Sequence, residues 1–275
     1  MNSELEKKLI ADLKKTGFGS ELRAIAELNK LGWKCTGGSS YLDKDENKTR
    51  EIDIIAYRNQ RHKLPTGETM WVAFYLVIEI KKSEAPWIVF RQELDEHGKE
   101  GCGWNNLIWS INLPNEGHFL YPAIANSSLM KLTGWAGSGI HQAFKDPDAP
   151  SRWYAAFTTT CKAAEHELEA QSYKVPKHLE VSEDFLNNPT RLNFVQPLVI
   201  LDGPLFSAAI DDGGELILQE IRAAPFDFEF QTAAYKRRSY RVDLITADHL
   251  KEYSELAKRR QNDIHDGILK LAGLK

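Results

Sequence analysis

Residues Trp71 to Lys82 read WVAFYLVIEIKK, a nearly unbroken apolar run that ends in charge. A run this rich in β-branched and aromatic residues predicts a strand buried, at least in part, on both faces. It is too short to span a bilayer, and Glu79 interrupts it. Side chains alternate along a strand, so Glu79 and Lys81 share one face while Ile78 and Ile80 take the other. A carboxylate and an ammonium in such a strand are costly unless each finds a partner, and a divalent cation is one such partner.

A second apolar strand with the same difficulty precedes it. Arg50 to Tyr57 (REIDIIAY) carries Asp53. A hairpin across the polar loop containing Pro65 and Gly67 would bring Asp53 near Glu79. A third acid, Glu21, lies on a helix that Ser20 can cap and that runs to Leu31, with Gly32 as its stop. Positions 21, 25, 28 and 32 share one helical face. Ile25 and Leu28 mark that face as the one packed on the sheet, so Glu21 begins the core-facing stripe.

Around these elements the expected order is simple. Leu5, Leu9 and Leu13 predict a short amphipathic helix over 3–15, broken by Thr16 to Gly19. Trp33 to Leu42 reads as a strand before the polar turn 43–47. Residues 87–190 suggest helices and loops, with Arg152 to Gln171 the clearest helix and Trp153, Ala156, Phe157 and Thr160 on one face. Beyond Pro189 the strands Gln196–Leu201, Glu215–Ala223 and Tyr240–Ile245 precede a terminal helix near Asp248. No internal repeat or low-complexity tract interrupts the chain. This layout predicts an α/β or α+β layered fold with a mixed sheet. It would be a single domain with its core at about 17–90 and 190–260, and a mainly helical insertion over about 91–189.

The 275 residues carry a net charge of −4, which argues against a wholly basic surface but not against a local basic groove. Cys35, Cys102 and Cys161 are widely spaced and odd in number, which fits reduced thiols better than a disulfide framework. His97 with Cys102, and Cys161 with His166, lack the second pair that a zinc site would need. The charged N-terminus has no apolar signal core, so the expectation is a soluble, cytoplasmic protein without a membrane partner.

Two buried acids with a lysine two residues beyond one of them suit phosphodiester hydrolysis. Carboxylates can hold Mg²⁺ through hard oxygen ligands and leave positions for water and a phosphate oxygen. A nearby lysine can orient the attacking water and balance charge building on phosphorus. Glu21, then Asp53 in REIDIIA, then Glu79-Ile80-Lys81 in VIEIKK resembles the PD-(D/E)XK, or restriction-endonuclease-like, nuclease superfamily. Ile52 stands where the motif's proline would be. The resemblance implies an αβββαβ core with a mixed central sheet and, in this chain, a large helical insertion. It also implies Mg²⁺ (Mn²⁺ may substitute) and cleavage of nucleic acid, with DNA favoured over RNA. Asp53 and Glu79 would be metal ligands, Glu21 the helix acid that joins them, and Lys81 the catalytic lysine. Family analogy further suggests a homodimer and a setting in bacterial restriction or antiviral defence.

The alternative reading is a catalytically silent nuclease-fold module that binds nucleic acid or a partner protein. A hydrolase of small phosphoesters would call for histidine ligands, and none lies near this cluster in sequence. The most basic stretch, Lys236, Arg237, Arg238 and Arg241 with Tyr235 and Tyr240 interleaved, suits phosphate contact and base stacking, and equally suits a solvated hairpin. Glu51 shares a strand face with Asp53 and reads first as a solvated or salt-bridged edge residue, with a supporting metal role second. Lys82 faces away from Lys81. Gln92 is expected on a helix. Trp104, Trp109, Trp135 and Trp153 could line a groove for bases, though such residues more often form a core. Lys258 to Arg260 read as an exposed helix face, Asp202-Gly203 as a turn, and His118 and His141 as structural.

Overall fold

The computed structural model describes residues 3–63, 69–94, 108–111, 134–146, 150–173, 191–236 and 239–271. Four helices and eleven strands are found among them: α1 (Ser3–Lys15), α2 (Phe18–Lys30), β1 (Lys34–Asp43), β2 (Lys48–Lys63), β3 (Thr69–Lys82), β4 (Trp87–Glu93), β5 (Ile108–Ile111), β6 (Trp135–Gln142), α3 (Arg152–Tyr173), β7 (Arg191–Asp202), β8 (Leu205–Ile210), β9 (Leu216–Glu220), β10 (Ala223–Glu229), β11 (Ser239–Thr246) and α4 (Leu250–Leu271). A 3₁₀ turn, Ala247–His249, leads into α4. The molecule is mixed α/β, as the alternation of apolar periods predicts. None of its described helices is long and apolar enough to cross a membrane.

All the strands join one mixed sheet in the order β1-β2-β3-β7-β11-β10-β6-β4-β8-β9, with β5 pairing to β7 off that path. The hairpins β1–β2 and β2–β3 are antiparallel. The strand after them, β7, is parallel to β3 from Trp71↔Arg191 to Lys82↔Asp202. A parallel pair needs a crossover, and α3 lies within it. Its inner face (Ala156, Phe157, Cys161, Ala164) packs with Tyr75 and Val77 of β3 and Val195 and Val199 of β7. The opposite face of the sheet is covered by α2 and α4, where Ala24, Leu28, Tyr253 and Ala257 meet Phe74, Leu76, Ile78 and Ile200. Strand β3 is therefore buried on both sides, as its composition predicts.

Several expectations need correction. Among the described residues, the stretch 91–189 does not stand apart from the core as a helical insertion. Its helix α3 covers the central sheet, and β5, β6 and the end of β4 extend that sheet. Gln92 lies in β4, not on a helix. The expected strand 215–223 is two strands, because Ile221 and Arg222 turn the chain from β9 into β10. Ser20 does not cap α2, which starts at Phe18, although Gly32 does end it with φ +83°. Trp135 and Trp153 belong to the core or its border. Trp104, Cys102, His97 and His118, and the side chain of Trp109, lie outside what is described.

Candidate active site

The β2–β3 ladder runs from Lys63↔Thr69 to Ile54↔Ile78 and stops there. Beyond that point β2 continues with β1 as far as Asp43↔Lys48, while β3 continues with β7 as far as Lys82↔Asp202. The sheet thus forks, and extending the register sets Asp53 opposite Glu79 at the crotch. The β1–β2 register passes from Gly37↔Ile54 to Ser39↔Ile52, leaving Gly38 opposite Asp53. Gly38 has φ +59°, a left-handed backbone that glycine adopts without strain. Ile54 buries with α2, whereas Ile52 buries in the core on the other face, so β2 twists between them at Asp53.

At the fork the Ile80 N–H donates to Asp53 Oδ2 at 2.6 Å, where a ladder carbonyl would otherwise accept. The Asp53 side chain is held by backbone, not by a neighbouring rotamer. Glu79 is only 7% exposed and shares the β3 face of Tyr75 and Val77. The Lys81 Nζ donates to Glu79 Oε1. Glu21, in the first turn of α2, completes the group, since it interacts electrostatically with Asp53, Lys81 and Glu51. Asp53, Glu79 and Lys81 thus meet at the fork, and Glu21 is near enough to feel the charges of Asp53 and Lys81.

Negative charge is in excess here. Burial, followed by the charge of Asp53, pushes the Glu79 pKa up to about 7 against the attraction and hydrogen bond of Lys81. Asp53 is raised by burial, although the Ile80 N–H and Lys81 oppose that rise. Glu21 is raised by burial and then by Asp53. Glu51 is exposed and adds to the repulsion on both Asp53 and Glu21. Four acids thus share one ammonium, a deficit that a cation would relieve. Among the described residues, no three His, Cys, Asp or Glu side chains form a ligand set by themselves. Mg²⁺ keeps several waters and often takes only one or two carboxylates, so a pair of acids would be enough to hold it.

A clamp that the sequence did not advertise ties α2 to this end of the sheet. Ser20 Oγ donates to Asp202 Oδ2, and Arg23 Nη2 reaches both Ser20 Oγ at 3.1 Å and Asp202 Oδ2 at 3.0 Å. Asp202 ends β7 beside Lys82, so the clamp holds the first turn of α2, and with it Glu21, at the fork. The only sequence cue was an acid closing an apolar strand, which reads first as a turn. A groove of about 720 Å³ runs from Ile80 and Ile200 past Asp202 to Leu250 and Lys251. Arg23 and Lys30 on its wall are already paired, with Asp202 and Glu27 respectively, so its charge is mixed.

The basic stretch fares worse. Arg241 is 5% exposed and pairs with Asp227 at 3.7 Å, and Tyr235 and Tyr240 are core residues. Their burial withdraws Arg241 and both tyrosines from any nucleic-acid surface, Tyr240 and Arg241 because β11 is an interior strand. Lys236 is exposed, while Arg237 and Arg238 lie outside the described residues. Arg260 is buried as well, over the Phe74 ring, while Arg259 is exposed and Lys258 partly so. Lys82 is exposed, as alternation predicts, and His141 is exposed on β6.

No protein-family model, curated protein or solved structure matches the chain.

Proposed function

We propose that the chain is an Mg²⁺-dependent endonuclease with a restriction-endonuclease-like core, hydrolysing phosphodiester bonds in nucleic acid, with DNA as the preferred substrate. The observation that carries this reading is the meeting of Asp53, Glu79 and Lys81 at the β2–β3 fork, with Glu21 supplied by α2. The order α2-β1-β2-β3-α3-β7, with β7 parallel to β3, supports the αβββαβ core.

Asp53 and Glu79 would hold the ion, with Glu21 near enough to feel the charge of Asp53. When bound, Mg²⁺ supplies neutralisation of phosphate charge and a lowered pKa for the attacking water. Asp53 is oriented for this by the Ile80 N–H, which engages one of its two oxygens. With Glu79 engaged elsewhere, the Lys81 ammonium is left to donate to the attacking water or to an oxygen of the scissile phosphate. The apolar walls of β3 and β7 limit bulk water around these charges, which strengthens each interaction.

Incubation of the protein with plasmid, linear duplex and single-stranded substrates tests the reading, with Mg²⁺, Mn²⁺ or chelator and beside a Lys81→Ala variant. Metal-dependent cutting that the variant loses is expected. Equal cutting by the variant would remove Lys81 from the mechanism. Silence on every substrate would favour a non-cutting module that binds nucleic acid or a partner protein.

A further inference from the structure

Among the described residues the main strand order ends at β1 on one side and at β9 on the other, and the two ends are built differently. The first, β1, is kinked at Gly38, begins with Lys34 and is overlain by α2, whose Ile25 lies against Gly37. These are ordinary ways of blunting an edge. The second, β9, reads LILQE and has no proline, lysine or glycine within it. Leu216, Ile217 and Leu218 are 65%, 47% and 56% exposed, and Ile210 on the neighbouring strand is 64% exposed.

The β8–β9 hairpin also settles which backbone groups face outward. Asp211 N–H donates to Glu215 O, and Ile221 N–H to Leu205 O, each at 3.0 Å. Pairing between these two points runs Ile210↔Leu216, Ala209↔Ile217, Ala208↔Leu218, Ser207↔Gln219 and Phe206↔Glu220. Hydrogen-bonded and non-bonded pairs alternate in an antiparallel ladder. The backbones of Ile217 and Gln219 therefore point to β8, and those of Leu216, Leu218 and Glu220 point to the free edge.

We propose that β9 is a self-association edge, on which a second copy of this chain pairs antiparallel about a two-fold axis at Leu218. In that register Leu218 exchanges both backbone hydrogen bonds with the partner's Leu218, and Leu216 does so with the partner's Glu220. Every outward-facing group of the strand then has a mate. No like charges stand directly opposite one another. The acidic turn of one copy (Asp211, Asp212, Glu215) comes to lie beside the partner's Arg222, an arrangement that repeats across the axis and steers the register; among the described residues of one chain Arg222 has only an exposed pairing to Asp248 at 3.7 Å. Leu218 meets its own equivalent, which joins the exposed apolar rows of the two hairpins. This proposal is independent of the nuclease reading.

Sedimentation equilibrium over a range of concentrations, on the full chain and on Leu218→Lys, tests it. A reversible dimer is expected for the unchanged chain, and two facing lysines should weaken it by roughly 100-fold. Leu218 is exposed, so the variant should keep its circular dichroism and, at concentrations where both chains are monomeric, its melting temperature. Under mild oxidation Leu218→Cys should form a covalent dimer, because hydrogen-bonded partners stand about 5.5 Å apart at Cα, within disulfide reach. Gln219→Cys, off the axis, should form several-fold less. A monomer at every concentration, a dimer indifferent to Leu218→Lys, or equal cross-linking at 218 and 219 would each overturn the proposal. Loss of stability in the Leu218→Lys variant at concentrations where both chains are monomeric would do the same, by showing that the edge is covered within one chain.

Discussion

Two groups of acids sit on the β1–β2 hairpin and its surroundings, and they behave in opposite ways. At the hairpin tip, Asp43 is buried and accepts from Lys162 Nζ at 2.9 and 3.0 Å, with Arg50 Nε at 3.2 Å. Lys162 also pairs with Asp45 at 2.8 Å. Burial tends to raise the pKa of Asp43, but the Lys162 hydrogen bond, the Asp45 and Glu46 N–H groups and the Lys162 charge outweigh it and hold the carboxyl low. Asp45 is lowered chiefly by its bond to Lys162. At the fork, by contrast, Glu79, Asp53 and Glu21 are all raised. Asp43 and Glu79 are both enclosed, but Glu79 lies deeper, and the balance of charge around the two differs as well. The tip is neutralised from within the chain and has the character of a structural lock, while the fork carries a surplus that calls for a ligand.

The largest effect expected to test this contrast is on turnover. Glu79→Gln and Lys81→Ala should each lower metal-dependent cutting by about 100- to 10,000-fold, measured as plasmid nicking rates on folded protein. The matching substitution at the tip, Lys162→Met, should leave the folded protein's cutting rate intact. It should instead cost about 1–3 kcal/mol of stability in chemical denaturation, because Asp43 keeps its burial and loses one of its two cationic partners, Arg50 remaining. If Lys162→Met abolished cutting without unfolding the chain, the division into lock and site would fail.

The pH dependence should have opposite signs in the two groups. In chelator, the folded-state pKa of Glu79 stands near 7 against 4.5 for the unfolded chain, so the folded state holds the proton more tightly. That contribution to stability is complete below pH 4.5 and is lost as pH rises through about 7. It amounts to about 3 kcal/mol at most, and Glu79→Gln should remove it, leaving the variant more stable than its parent at pH 8. Asp43 runs the other way: its contribution is present above the ordinary carboxylate pKa and is lost as pH falls through its lowered value. Asp43→Asn should therefore flatten the acid limb of the stability curve. The smallest effect belongs to the clamp. Ser20→Ala should cost about 1 kcal/mol of stability, and a greater loss in cutting than in melting would assign the clamp to placing Glu21.

Much of this site was legible in the chain alone. An apolar strand that ends Glu-Ile-Lys, an apolar strand before it with one aspartate, and a helix with a glutamate on its inner face are local patterns. Alternation and helical periodicity act over a few residues and are written directly in the sequence. The failures came from elsewhere. Strand β4 and residues 215–223 hold too few periodic positions to declare themselves. The basic stretch near Arg241 has a composition suited to phosphates, and nothing local reveals that its strand lies between β7 and β10.

What the sequence determined, then, is which residues must be buried and which buried residues carry charge, because burial follows from composition and spacing within single elements. Only the tertiary structure decided that β2 and β3 part at Asp53, that Asp202 reaches back to Ser20, that Arg241 is enclosed, and that β9 is left at an open edge. Each of those depends on pairing between segments far apart in the chain. Register and strand order are set by the summed packing of the whole sheet, not by any one segment's own preference.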